Sequence, residues 1–143
     1  MVKRKVVLFG ASGHLGAYLN KTLINNNFSV KTPSRIEVNE ILNNKYKKEF
    51  FEDSIIINTV AIVGKLNSNS CLIDDLRMIN EEFPKKLSKG VNLNNSKLLH
   101  ISSNSVFDNS TKQVRCDKDT PSSKTNYGIS KLNAEINIQE TLN

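Results

Sequence analysis

Cysteine is scarce in this chain. There are two, Cys71 and Cys116, far apart in 143 residues. Such a pair gives neither a disulfide framework nor a zinc-ligand spacing, so a reducing, cytoplasmic compartment is expected. Long apolar runs are also missing. The basic N-terminus leads into residues 6–9, but that run breaks at Gly10, too short for a signal-peptide core. No stretch approaches the length of a membrane span. Internal repeats, long linkers and clusters of metal ligands are absent as well, and no metal site is expected. No nucleic-acid motif accompanies the formal net charge of +6. The lysines lie scattered or in short runs such as Lys45, Lys47 and Lys48, as on a solvated face, so nucleic-acid binding is not expected. A mild positive excess does suit a protein that binds phosphates.

The composition is that of a folded protein, 38% hydrophobic and 24% charged. The length suggests one domain, residues 1–143. Residues 5–9, with Val6 and Val7, read as a buried strand. Leu15, Leu19 and Leu23 recur at helical spacing, and the asparagines at 25–27 end that helix. Residues 28–32 read as a second strand, Pro33 and Ser34 as a turn, and 40–50 as a polar helix. Residues 54–60 form a strong buried strand. Leu72, Leu76, Ile79, Phe83 and Leu87 share one helical stripe, with a kink or restart expected at Pro84. Residues 97–102 are another strand, and Ile129, Leu132 and Ile136 mark a last amphipathic helix. The asparagine-rich patches at 67–69 and 92–95 read as loops or helix ends. Strands alternating with helices predict an α/β fold with a parallel sheet covered on both faces.

Three glycines, Gly10, Gly13 and Gly16, follow the first strand directly and open the first helix. The first permits a sharp turn, the second a close backbone approach to pyrophosphate, and the third close packing of helix on strand. The helix N-terminus then offers N–H groups and a positive dipole end to phosphate. The segment Gly10, Ser12, Gly13, His14, Leu15 and Gly16 is thus a candidate dinucleotide loop; the alternative is a tight turn without a ligand. The second strand ends without an acid to hold a ribose 2′-hydroxyl. Lys31, Ser34 and Arg35 stand there instead, and Arg35 reads either as a fork for a 2′-phosphate or as a surface arginine. On this ground NADP is expected over NAD.

Tyr127 and Lys131 are spaced i, i+4 and share a helix face. An ammonium beside a phenol stabilises the phenolate and equips the tyrosine to exchange a proton. The alternative is a helix-start tyrosine beside a solvated lysine. Ser103, just beyond the strand at 97–102, can orient a substrate carbonyl or simply cap its loop. His100, inside that strand, reads as packed. In His14 the backbone N–H matters more than the ring.

These segments resemble one family. The stretch HISSNSVFDN (100–109) is similar to ISTDYVFDG of dTDP-4-dehydrorhamnose reductases, which are extended short-chain dehydrogenases/reductases. TPSSKTNYGISKLNAE (120–135) resembles their P…YGxSKLxGE stretch. MINEEFPKKLS (78–88) resembles VNxxxPxxLA, and INTVA (57–61), which contains Ala61, resembles INAAA. The family's Asp-Tyr after the catalytic hydroxyl is Asn104-Ser105 here, and its acidic segment after the second strand is reduced to Glu37, Val38 and Asn39.

The resemblance implies a Rossmann-type doubly wound parallel sheet and NADPH-dependent reduction of a 4-keto nucleotide sugar. It places catalytic roles on Ser103, Tyr127 and Lys131. It places cofactor contacts along the glycine loop and at Arg35, Ala61, Asn80, Tyr127 and Lys131. Asn80 is also expected to support a water or the kink near Pro84. The rival is a non-enzymatic NADP-binding or regulatory protein of the same fold. The chain is expected to be truncated after the Tyr-x-x-x-Lys helix, leaving the strand at 97–102 as a sheet edge. It is therefore expected to bind cofactor without turning over a sugar nucleotide alone. Its expected partners are a nucleotide-sugar substrate and either a homo-oligomer or a chain supplying the C-terminal region.

Overall fold

The computed structural model describes residues 3–63, 70–94, 96–108 and 118–142. Among the described residues, four short strands build a parallel sheet: β1 (Lys5–Phe9), β2 (Ser29–Lys31), β3 (Ser54–Asn58) and β4 (Lys97–His100), in the order β2-β1-β3-β4. The chain passes from β1 to one side for β2 and then to the other side for β3. That reversal opens a crevice at the carboxyl ends of β1 and β3, where open α/β sheets take ligands. The architecture is Rossmann-type, as the alternation of strands and helices predicts. Cys116 and the patch at 67–69 lie outside the described residues.

Alternation along the strands sorts the core into two layers. Val7, Phe9 and Ile56 face helices α2 (Arg35–Leu42), α3 (Lys48–Phe51) and α5 (Phe83–Leu93) through Val38, Ile41, Phe50, Phe51, Phe83, Leu87 and Val91. Val6, Leu8 and Ile57 face the other way, toward α1 (His14–Asn25), through Leu19 and Leu23. Leu15, the first residue of the expected stripe, is exposed at the helix start. Leu99 pairs in register with Ile57, so it points to the same layer as α1. It lies on edge strand β4 and is exposed there.

Three local readings change. The polar helix expected at 40–50 is two helices, and the first starts earlier, at Arg35. Pro33 and Ser34 are its entry rather than a free turn. Ser34 is the N-cap, and with Glu37 it forms a capping box: the Ser34 N–H donates to the Glu37 carboxylate at 2.7 Å. Asn44 (φ +61°) breaks the chain between α2 and α3.

The second change is at Pro84. An α-helix does restart there, at Phe83, but without a break in the helical chain before it. α4 (Ser70–Leu76) runs through a π-helical segment, Arg77–Glu82, into α5. Pro84 sits in the first turn of α5, where its missing N–H costs least. The irregularity precedes the proline.

The third is α6 (Asn126–Leu142). Its buried residues are Gly128, Ser130, Lys131 and Ala134, while Ile129 and Ile136 of the expected apolar stripe are exposed. Small side chains let α6 approach closely. A Cβ at Gly128 would stand 2.0 Å from the Ser105 carbonyl oxygen. The expected strands also shorten, with β4 ending at His100 rather than at 102. Among the described residues, no helix is long and apolar enough to cross a membrane, and no group of three or more His, Cys, Asp or Glu could hold a metal ion.

Candidate functional site

At the end of β1 the chain turns at Gly10 with φ +86°, a conformation that L side chains rarely adopt. A Cβ there would also meet the Thr59 hydroxyl at 2.5 Å. Thr59 cannot easily yield, because its hydroxyl and its N–H both donate to the Phe9 carbonyl, at 2.8 and 3.0 Å. Gly16 packs underneath: a Cβ would lie 2.0 Å from the Gly10 carbonyl oxygen, which is backbone and has nowhere to go. Gly13 is the N-cap of α1. No side chain caps that helix, and its first turn carries no acid. The first-turn N–H groups therefore lack a side-chain partner, and the positive end of the helix dipole lacks a counter-charge.

This helix start borders a cavity of about 680 Å³. Of the expected site residues, Gly10, Ser12, Gly13, Arg35 and Ala61 line it. His14 and Leu15 lie on the first turn of α1 with exposed side chains, and Gly16 is buried below the loop. Ser34, expected at the end of the second strand, lines it too, as does Asn39 of the segment that follows. Thr32, Thr59 and Ile79 also line the cavity and escaped sequence reasoning; for Thr59 the available signal was the position just past a strand's carboxyl end.

The acid nearest the second strand is turned away. Glu37 is held by the Ser34 N–H and by Lys47 Nζ at 3.2 Å, and these contacts, the backbone bond first, lower its pKa. Arg35 has no carboxylate partner among the described residues. Asn80 stands behind the wall, fully buried in the π-helical segment. Its Oδ1 accepts from the Ile62 N–H at 2.9 Å, and its Nδ2 donates to the Ile62 carbonyl at 2.9 Å and to Ser130 Oγ at 3.0 Å. It ties the segment after β3 to α6, and so shapes the cavity without lining it.

The second group of residues surrounds the end of β4. Lys131 is 1% exposed. Its Nζ donates to the Ile101 carbonyl at 2.6 Å and lies 3.1 Å from His100 Nε2. Burial pulls its pKa down to about 8, against the opposing pull of Glu135 one turn further on. Tyr127 is half-buried one turn earlier on α6, and among the described residues its hydroxyl has no hydrogen-bond partner. Lys131 and Tyr127 are thus neighbours on α6 without a bond between them. Ser103 Oγ accepts from the Ser105 N–H at 3.1 Å, capping a short turn at Asn104–Val106. That bond uses a lone pair and leaves the hydroxyl proton available. Ser103 also faces a second cavity, of about 840 Å³, together with Leu132 and Glu135. Tyr127 and Lys131 line neither cavity.

Residues 4–143 match the family described as the RmlD substrate binding domain. The chain belongs to that family. Solved structures with the same fold include a dTDP-4-dehydrorhamnose reductase from Bacillus anthracis in complex with NADP, at 22% identity and a TM-score of 0.83 over 99% of this chain and 51% of the other. A dTDP-4-dehydrorhamnose reductase from Clostridium acetobutylicum gives 24% and 0.74 over 96% of this chain and 49% of the other. A variant UDP-glucuronic acid 4-epimerase from Bacillus cereus, in complex with a UDP-sugar derivative and NAD, gives 16% and 0.76 over 96% and 52%. At these identities the likeness establishes the fold. The chain spans about half the length of each. Comparison with curated protein sequences gives no match.

Within this RmlD-family fold, His100 is more than a packed strand residue. Its ring contacts Asn58 Nδ2 at 3.1 Å as well as Lys131. Burial first, and the Lys131 charge second, push its pKa down to about 3. Sequence reasoning missed this because the pairing of His100 with Asn58 belongs to the β3–β4 register. A pH dependence follows. In the unfolded chain the imidazole takes its proton near 6.5, in the folded chain near 3. Between those values the unfolded state binds more protons, so stability falls as pH drops. Urea unfolding midpoints are expected to fall from pH 7 to pH 5, and the fall should be smaller in His100→Gln. An identical slope in the variant would remove His100 as its source.

Proposed function

We propose that this chain is the dinucleotide-binding, proton-donating half of a reductase that acts on the keto group of a nucleotide sugar and prefers NADPH. The observation that carries the reading is the uncapped, acid-free N-terminus of α1, set behind glycines that tolerate no Cβ and opening on a cavity bordered by Arg35. A pyrophosphate fits such a helix start. Arg35 and Ser34 suit a 2′-phosphate, and Glu37 is engaged elsewhere, so no acid opposes it.

A bound reduced nicotinamide supplies a hydride to the carbonyl carbon. Tyr127 gives a proton to the carbonyl oxygen, which becomes the alcohol. Lys131, when charged, favours the phenolate that remains. Ser103 uses its free hydroxyl proton to steady the developing alkoxide. Resemblance to dTDP-4-dehydrorhamnose reductases and the family match support a 4-keto sugar nucleotide as the substrate class.

The test is the affinity of NADPH and NADH for this chain and for Arg35→Ala, by titration calorimetry. A charge-assisted pair contributes about 1.5–3 kcal/mol, so NADPH is expected to bind roughly tenfold or more tighter. Arg35→Ala should erase most of that difference. Equal affinities in the unaltered chain would sink the NADP assignment, and no binding of either would sink the reading as a whole.

A further inference from the structure

The proposed chemistry uses Lys131 as a cation beside Tyr127, yet its nitrogen is engaged by the Ile101 carbonyl and by His100, a residue with no part in that chemistry. The polarity of each contact follows from its neighbours. Asn58 is fully buried, and its Oδ1 accepts from the Val60 N–H at 3.0 Å. That bond fixes Nδ2, which can only donate, as the end that faces His100 Nδ1 at 3.1 Å. Nδ1 therefore accepts. A neutral imidazole has one acceptor and one donor, so its proton sits on Nε2, 3.1 Å from Lys131 Nζ.

An ammonium has donors only. Nε2–H facing a charged Lys131 is donor against donor, whereas facing an uncharged amine it is a hydrogen bond into the lone pair. Moving the ring proton to Nδ1 transfers the clash to Asn58. Turning the Asn58 amide over leaves the Val60 N–H facing another donor. A doubly protonated ring sets two cations side by side. Every arrangement with a charged Lys131 thus contains a mismatched contact in a buried place, where such contacts cost most.

We propose that His100, held in its tautomer by Asn58, is a positioning residue that disfavours the charged form of Lys131 while the two side chains are in contact. Ionisation of Lys131 then goes together with its leaving His100, which frees it for Tyr127. The groups that act on this pair are Asn58 from β3, the Ile101 carbonyl beyond β4 and Glu135 from α6, with Tyr127 one turn before Lys131 on the same helix. The π-helical segment contributes the uncharged Asn80, through Ser130. Glu135 is the carboxylate that acts on Lys131, and its own Oε1 accepts a hydrogen bond from the Ser102 hydroxyl. The use of the charge in catalysis rests on the reductase reading; the network does not.

The experiment is NMR titration of the 143-residue chain, labelled at histidine nitrogen and lysine side-chain carbon, without cofactor. The His100 ring is expected to be neutral, with its proton on Nε2, from pH 9 down to pH 5. The Lys131 midpoint is expected to rise by about one pH unit, or tenfold in proton affinity, in two variants. His100→Gln offers a carboxamide oxygen to the ammonium and adds no charge. Asn58→Asp still accepts from the Val60 N–H but also accepts from Nδ1–H, which leaves Nε2 as an acceptor for Lys131. A proton on Nδ1 in the unaltered chain would overturn the proposal. So would an unmoved Lys131 midpoint in both variants. Should the variants fail to fold, the tautomer of the unaltered chain still decides. Failure of the reductase reading would show as absent NADPH binding and leave these signals as they are.

Discussion

Tyr127→Phe is expected to lower the rate of carbonyl reduction by about 10²–10⁴ in any form of this protein that turns over, the range for loss of a positioned general acid. Dinucleotide affinity should stay nearly unchanged. The ring sits half-buried on the first turn of α6, a helix anchored by Gly128 against the Ser105 carbonyl and by Lys131 in the core. Phenylalanine keeps the ring and its packing and removes only the hydroxyl, and with it the proton. No described residue hydrogen-bonds to that hydroxyl, so its loss leaves no buried partner behind. The measurement is single-turnover oxidation of the reduced cofactor with a keto sugar nucleotide, beside a binding titration. Near-normal turnover in the variant would mean that another acid delivers the proton. Equal loss of turnover and cofactor affinity would mean that the ring acts by holding the cofactor.

Phe83→Ala is expected to cost about 3–5 kcal/mol of folding stability. Phe83 is fully buried where the π-helical segment gives way to α5. Its ring meets Phe9 edge to face, with centroids 5.4 Å apart and planes at 72°, and Phe9 meets Phe50 in the same manner at 6.0 Å and 87°. The three rings join the central strand β1 to both α3 and α5. Alanine would open a cavity at that junction, and the parallel sheet beside it cannot collapse inward without losing its register. Against a typical total of about 5–15 kcal/mol, the loss is large enough to unfold a sizeable fraction of the chain. Urea denaturation followed by circular dichroism measures it. A loss below about 1 kcal/mol would show that the site collapses or that Phe83 is not central to the core.

The strand–turn–helix placement of the glycine loop was legible because its causes are largely local. A strand end, a turn and a helix start lie within a few residues; Gly10 answers its positive φ and Gly16 the Gly10 carbonyl beside it, while the Thr59 hydroxyl that also crowds Gly10 comes from a distant strand end. The pairing of Tyr127 with Lys131 on one helix was legible for the same reason. The capping box at Ser34 and Glu37 was present in the sequence too, and was hidden only by reading Pro33 and Ser34 as a turn. The π-helical segment carries no such mark. Asn80 stabilises it through bonds to Ile62 and Ser130, at sequence separations of 18 and 50.

By itself, the sequence determined the strand–helix alternation, the glycine turn between β1 and α1 and the placement of Tyr127 and Lys131 on one helix, because periodicity and short-range sterics are written in neighbouring positions. Only the tertiary structure decided which face of α6 is buried, with Ser130 and Lys131 inside while Ile129 and Ile136 remain exposed. Only it placed His100 between Asn58 and Lys131. Both outcomes depend on strand register and on the close approach of elements distant in sequence; the Asn58–His100 contact spans 42 residues and the Lys131–His100 contact 31. A polar side chain becomes a core residue when such a partner is waiting for it, and no pattern of neighbouring residues records that partner.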